Sequence, residues 1–420
     1  MGFHTLAEWL AWQESLHPKT IDLGLKRVSE VLNRLDLRHA TRITLSVAGT
    51  NGKGSSVAML DAILREAGYR VGTYTSPHIL SYNERIAIDG TPVSDAVIMA
   101  AFERIEAARG DISLSFFEFG TLAALVIFDD AGLDARILEV GLGGRLDAVN
   151  AVDADIAMIA SIDIDHQDWL GTTREAIGLE KAGILRPERP AIIGDPDLPA
   201  GVLGLAQQQG IPLFRQGLEF NYERQPLAWT FRGSRRQIAD LPPPALKGDH
   251  QFLNAAAVLE CLSHFPSDYE IPDAAIAEGL RKVQLKGRFQ FFPGDVPVLL
   301  DVAHNPQSVR ILKGYLDARY PDRRIRAVFS VMRDKDVESI VQLIKGRIDT
   351  WYLAPLAMPR AASSEELSEI LHNGGVENVR SGFQDAQAAW SLAFEESMPG
   401  DMILVFGSFF LVSDYLAHIA

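Results

Sequence analysis

Residues 46 to 60 read SVAGTNGKGSSVAML, a glycine-flanked lysine of the kind that cradles phosphate. The usual pattern G-x-x-x-x-G-K-[ST] would need a glycine at 47 and a hydroxyl at 54, where this chain has Val47 and Gly54. Thr50, Asn51, Gly52, Lys53, Gly54 and Ser55 still offer what the chemistry requires. Glycines let backbone N–H groups converge on an anion, a helix N-terminus favours its charge, and Lys53 can neutralise the β and γ phosphates. The plain alternative is a tight strand-to-helix turn with a solvated lysine. The run of residues in that context favours a nucleotide loop. With no hydroxyl directly after Lys53, a metal ligand must come from Ser55 or from a serine on another loop.

Candidates for that ligand set recur just past expected strand ends, the edge where parallel α/β sheets bind ligands. They are Ser76 in YTSPHILSYNERI, Glu139 in ILEVGLGGRLDAVN and His166 in ASIDIDHQDWLG. Mg²⁺ prefers oxygen and few protein contacts, so these three could hold it beside ATP oxygens. His166 taken alone is more often a satisfied loop histidine. Lys181, in EKAGILRP beside Glu180, reads by itself as a solvent-facing helix lysine. Near several positive centres its amine could instead become neutral and reactive.

The elements that must position these residues follow from periodicity. RITLSVAG is an expected strand, SSVAMLDAILREAG a helix with apolar positions 57, 60, 63 and 64 and a stop at Gly68, and YRVGTYTS the next strand. The alternation returns along the chain and predicts an α/β fold with a parallel-rich sheet. From about Phe214 to Asp240 the pattern is short, polar and strand-like, an expected small excursion. A second α/β series begins near Val296, so a boundary is expected around KGRFQFFPGD, giving an ATP-binding domain over 1–287 and a Rossmann-like domain over 288–420.

Composition narrows the function. The chain has 420 residues, 47% of them hydrophobic, enough for a full core. A net charge of -15 argues against a general nucleic-acid binder. The lone Cys261 excludes an internal disulfide and suits a reducing compartment. No apolar run reaches membrane-spanning length and the N-terminal segment lacks a basic region before an apolar stretch, so a cytoplasmic protein with no membrane partner is expected.

VAGTNGKGSS, TSPHILSYNERI, LEVGLGGRLDAVN, DHQDWLG, EKAGI, HQFLNAA, KGRFQ and LDVAHNP together resemble the folylpolyglutamate synthase and dihydrofolate synthase family, a branch of the Mur-ligase-like amide ligases. The resemblance runs from about Lys19 to the C-terminus, and its nucleotide loop is shortened in the same way. It implies ATP-driven addition of L-glutamate to dihydropteroate and to reduced folates through an acyl phosphate. It further implies Mg²⁺ as two ions, a monovalent cation and a monomeric enzyme. Residue by residue, Ser76, Glu139 and His166 would hold Mg²⁺, and a carbamylated Lys181 would support a second metal. Asn254, Arg288 and Asp301 would contact the nucleotide. His304 would help orient phosphate, with a loop-capping histidine as its alternative. Asp22, Leu23, Gly24 and Leu25, then Ser115, Phe116, Phe117 and Glu118, then Leu146, Asp147 and Ala148 match the dihydropteroate site. Phe117 is the candidate for stacking on the pterin and Asp147 for accepting its N–H groups. Chain extension alone, a peptidoglycan Mur ligase, and a non-enzymatic nucleotide switch are the alternatives.

Overall fold

The computed structural model describes residues 3–19, 21–37, 41–358 and 360–419. The chain divides into two compact units. The first comprises 1–162, 173–245 and 251–284, and the second 163–172, 246–250 and 285–420.

In the first unit eight strands form one sheet: β1 (Ile43–Ala48), β2 (Val71–Tyr74), β3 (Ile86–Ile88), β4 (Thr91–Pro92), β5 (Ala135–Glu139), β6 (Ile156–Ile159), β7 (Ala191–Ile193) and β8 (Leu213–Arg215). Their order is β4-β3-β2-β5-β1-β6-β7-β8, parallel from β2 to β8 with β3 and β4 added antiparallel. β1 is buried at every residue, because helices cover a parallel sheet on both faces and leave no strand position polar by necessity. The register Val47↔Glu139 aligns the ends of β1 and β5, so the loops that follow emerge at one edge.

The excursion begins later than the sequence pattern places it. Phe214 lies in β8 and belongs to the main sheet. The separate sheet is antiparallel, β9 (Asn221–Arg224), β10 (Trp229–Arg232) and β11 (Gln237–Leu241), ordered β11-β10-β9. It is anchored by fully buried Trp229, edge-on to Phe252 at 5.8 Å.

The second unit carries β12 (Gln290–Phe292), β13 (Val298–Asp301), β14 (Arg324–Phe329), β15 (Ile348–Leu353), β16 (Val379–Arg380) and β17 (Asp401–Phe406), ordered β12-β13-β17-β14-β15-β16. Only β12 is antiparallel. Its core includes Phe329, Trp351 and Phe406, with Phe329 and Trp351 edge to face at 5.3 Å. Besides 285–420, this unit takes in 163–172 and 246–250, which the sequence pattern does not separate from their neighbours.

Candidate active site

The Lys53–Glu66 helix begins directly after the glycine turn, with Gly52 at its N-cap in the left-handed region at φ +85°. Only glycine holds that conformation cheaply, and a Cβ there would lie 2.8 Å from Asn254 Oδ1. The turn is pinned from the side: Ser161 O accepts from Thr50 N at 2.8 Å and Ser161 Oγ from Asn51 N at 3.0 Å. Lys53 Nζ folds over its own loop, donating to Gly49 O at 2.9 Å and Thr50 O at 3.3 Å. Ser55 is buried and accepts from Gln251 Nε2 at 3.3 Å, while Gln251 Oε1 accepts from Asn254 Nδ2 at 3.0 Å. Gln251, not among the residues singled out from the sequence, thus joins Asn254 to the loop. Gly52→Ala is expected to weaken ATP binding at least tenfold, through both strain and the clash with Asn254. Nucleotide titration calorimetry reads this, and unchanged affinity would contradict the role of the turn.

At the adjoining strand ends, Ser76 N donates to Glu139 Oε2 at 3.2 Å. Glu139 is 5% exposed at the end of β5, a buried carboxylate of the hard-oxygen type Mg²⁺ takes. The glycine loop after it packs onto the Arg174–Ala182 helix: a Cβ on Gly144 would lie 2.8 Å from Glu180 O and 2.9 Å from Lys181 O. Arg145 seals that contact, its N–H donating to Glu180 O at 2.8 Å and its guanidinium to Glu180 Oε1 at 2.7 Å. Lys181 does not face solvent as an isolated helix lysine would. It is 3% exposed, because the loop closes over its helix. A side chain this buried carries a charge only where a partner compensates it.

Asp147 closes the glycine loop on itself. Its Oδ2 accepts from Leu142 N and its Oδ1 from Val149 N, both at 2.9 Å. Each oxygen thus holds one backbone N–H and keeps a second lone pair. Burial pushes its pKa up to about 6, with the N–H groups of Leu142, Val149 and Gly141 acting in the opposite sense. A raised folded-state value makes the group's contribution most favourable below its unfolded value near 3.9 and progressively lost as pH rises through about 6. The melting temperature of wild type relative to Asp147→Asn should therefore fall as pH goes from about 4 to about 7. A difference that does not change with pH would contradict the shift.

The remaining sequence-assigned substrate positions converge in the first unit. Gly24 N donates to Leu146 O at 3.1 Å, joining the Asp22–Leu25 segment to the loop that carries Asp147 and Ala148. Ser115 caps the Phe116–Ala131 helix in a reciprocal box with Glu118. Arg27 links the two groups, with Nη1 to Asp22 Oδ2 at 2.6 Å and Nη2 to Glu118 Oε1 at 3.1 Å. His17 Nε2 lies 3.0 Å from Asp22 Oδ2, and this contact, with Arg27 and Lys19 nearby, lowers the Asp22 pKa against burial. Arg27 follows Lys26 at a helix start and His17 precedes Pro18, and no motif spacing singles either out. Phe116 and Phe117 are half-buried. The Phe117 ring sits 5.9 Å from that of Tyr74 and takes the space a Cβ on Gly141 would need.

In the second unit, Asp301 Oδ2 accepts from Phe289 N at 3.0 Å and Oδ1 from Ala303 N at 2.8 Å, fastening the stretch that carries Arg288. Arg288 lies over the Phe409 ring at 5.2 Å. His304 Nδ1 contacts Val302 O at 2.8 Å, and Asn305, not His304, caps the following helix. A buried carboxylate the sequence reading passed over, Asp165, accepts from Lys335 Nζ at 2.6 Å and Asn305 Nδ2 at 3.0 Å. Burial would raise its pKa, but contact with His304 and the charges of Lys335 and His166 outweigh this and hold it well below the usual carboxylate range.

A nucleotide loop and a buried carboxylate at the edge of one parallel sheet, with a second α/β unit, define an ATP-dependent ligase of the Mur type. Residues 287–409 match the Mur ligase glutamate ligase domain. The dihydrofolate synthase/folylpolyglutamate synthase of Escherichia coli K12 is 44% identical over 408 residues, covering 97% of this chain and 94% of that protein. The structure of Escherichia coli FolC in complex with DHPP and ADP superposes with a TM-score of 0.93 at 43% identity, covering 99% of this chain and 98% of that one. A bifunctional folylpolyglutamate synthase/dihydrofolate synthase with Mn, AMPPNP and L-glutamate bound gives 0.91 at 43% identity, with the same coverage. The chain belongs to the dihydrofolate synthase/folylpolyglutamate synthase family.

Proposed function

We propose that this enzyme joins L-glutamate to 7,8-dihydropteroate, giving dihydrofolate, and to tetrahydrofolate, giving folylpolyglutamates, as a monomer in the cytoplasm. The observation carrying this reading is the junction of Asp22–Leu25, Ser115–Glu118 and Leu146–Ala148 in one unit with the Thr50–Ser55 loop. No helix among the described residues is long and apolar enough to cross a membrane.

The chemistry follows from the weak electrophilicity of a carboxylate. Its oxygen attacks the γ-phosphorus of ATP, giving an acyl phosphate and ADP. The glutamate amine then adds to the acyl carbon and expels phosphate. Both steps build negative charge that preorganised cations stabilise. In this reading Lys53 and the loop N–H groups take the phosphates, with Asn254, Arg288 and Asp301 contacting the nucleotide and His304 orienting phosphate. Ser76, Glu139 and His166 are the proposed Mg²⁺ ligands, and carbamylated Lys181 the support for a second ion; a monovalent cation completes the set. Bound metal supplies charge neutralisation at the transferring phosphoryl group. Leu23, Leu25, Phe116 and Phe117 supply apolar surface for the substrate, and Asp147, braced by the Leu142 and Val149 N–H groups, accepts from the pterin N–H groups with its remaining lone pairs.

Dihydropteroate, tetrahydrofolate and a UDP-muramoyl substrate, each tested with L-glutamate and MgATP, separate the readings. Product from both pteridine substrates and none from the third is expected. Product from tetrahydrofolate alone would reduce the activity to chain extension.

A further inference from the structure

We infer that Asp165 is a positioning residue for the ligation reaction, a buried carboxylate that sets the orientation of both His166 and His304. The inference rests on the reading of His166 as a metal ligand. His166 holds a left-handed backbone at φ +52°, a conformation that costs a non-glycine residue free energy and must be held by its surroundings. Asp165 supplies that hold, since its Oδ1 accepts from the His166 N–H at 2.8 Å. The same oxygen accepts from Lys335 Nζ at 2.6 Å, and that ammonium lies 3.4 Å from His166 Nε2. The other oxygen lies 3.6 Å from His304 Nε2 and accepts from Asn305 Nδ2 at 3.0 Å. Asn305 in turn caps the Pro306–Arg319 helix that follows His304. One carboxylate therefore joins the backbone of one site histidine to the ring of the other. Lys335, with a side chain 6% exposed, fixes that carboxylate from behind. Outer partners of this kind orient the residues that touch metal or substrate.

Asp165→Asn keeps the shape while removing the charge that holds Lys335 and the histidines. In the full-length protein, with AMPPNP and Mn²⁺ as the probe, electron paramagnetic resonance titration should show Mn²⁺ affinity falling ten- to a hundredfold. The melting temperature is expected to fall, because the buried Lys335 ammonium loses its carboxylate, so Mn²⁺ affinity is read well below the unfolding transition. Arg310→Ala, which cuts the 2.9 Å pair to Asp163 on the same segment, should change Mn²⁺ affinity less than about twofold, the scale of an exposed pair. Wild-type affinity in Asp165→Asn, with weakened binding in His166→Ala, would overturn the inference and leave the metal reading standing. Wild-type affinity in His166→Ala would overturn both. Should Asp165→Asn fail to fold, Lys335→Gln carries the test: several-fold weaker Mn²⁺ binding supports the inference and unchanged binding overturns it.

Discussion

Lys53→Ala should abolish glutamate ligation with either pteridine substrate. Charge accumulates on the γ-phosphoryl group as the acyl phosphate forms and again as phosphate leaves, and a preorganised cation at that point contributes several kcal/mol. Lys53 has a second duty, because its ammonium ties Gly49 O and Thr50 O together and shapes the loop before any nucleotide arrives. Loss of catalysis and weaker ATP binding are therefore expected together. Lys53→Arg keeps the charge but not the compact point geometry, so it should retain little activity. Steady-state ligation assays check this. Turnover of Lys53→Ala within about threefold of wild type, roughly 0.7 kcal/mol of barrier, would remove the loop from the chemistry.

Lys181→Ala is expected to be equally inactive, for a different reason. A carbamate forms when the neutral amine adds to CO₂ and loses a proton, turning a buried cation into an anion able to face a metal. Alanine leaves a void at that position, and a small carboxylate such as acetate, added at high concentration, should restore part of the activity. Mass spectrometry of the intact wild-type protein under native conditions should show the added CO₂, lost on acidification. An unmodified ammonium at Lys181 in an active, metal-bound crystal would contradict the proposal. Glu180→Ala should have a smaller effect, since it removes the side-chain pair with Arg145 but leaves the backbone bond between Arg145 N and Glu180 O.

The family and the main fold were legible in the sequence because they are written in local signals. The glycine run at 49–54 needs its particular backbone, the strand ITLSVA has no charged residue, and the motifs holding Ser76, Glu139 and His166 end or follow strands. What escaped was set by chain segments distant in sequence. Asp165 stands in a loop between β6 and the Arg174–Ala182 helix, yet its partners are Asn305, His304 and Lys335. Nothing near position 165 names them. Arg27 resembles any helix arginine until Asp22 and Glu118 close on it. Lys181 looked exposed because the glycine loop that covers it lies over 35 residues earlier, at Gly144. The motif GRLDAVN matches Asp147 to the pterin site, but nothing local to it announces that its oxygens also accept from the Leu142 and Val149 N–H groups. Asp147→Ala should accordingly lower ligation of dihydropteroate and of tetrahydrofolate together.

Acyl-phosphate formation from dihydropteroate is best tested with substrate labelled with ¹⁸O in its carboxylate. Attack by that oxygen on the γ-phosphorus, followed by expulsion of phosphate, carries one labelled oxygen into inorganic phosphate for each amide formed. Incubation of wild-type enzyme with labelled dihydropteroate, L-glutamate and saturating MgATP should yield dihydrofolate and singly labelled phosphate in equal amounts. Unlabelled phosphate, or no dihydrofolate at all, would contradict it.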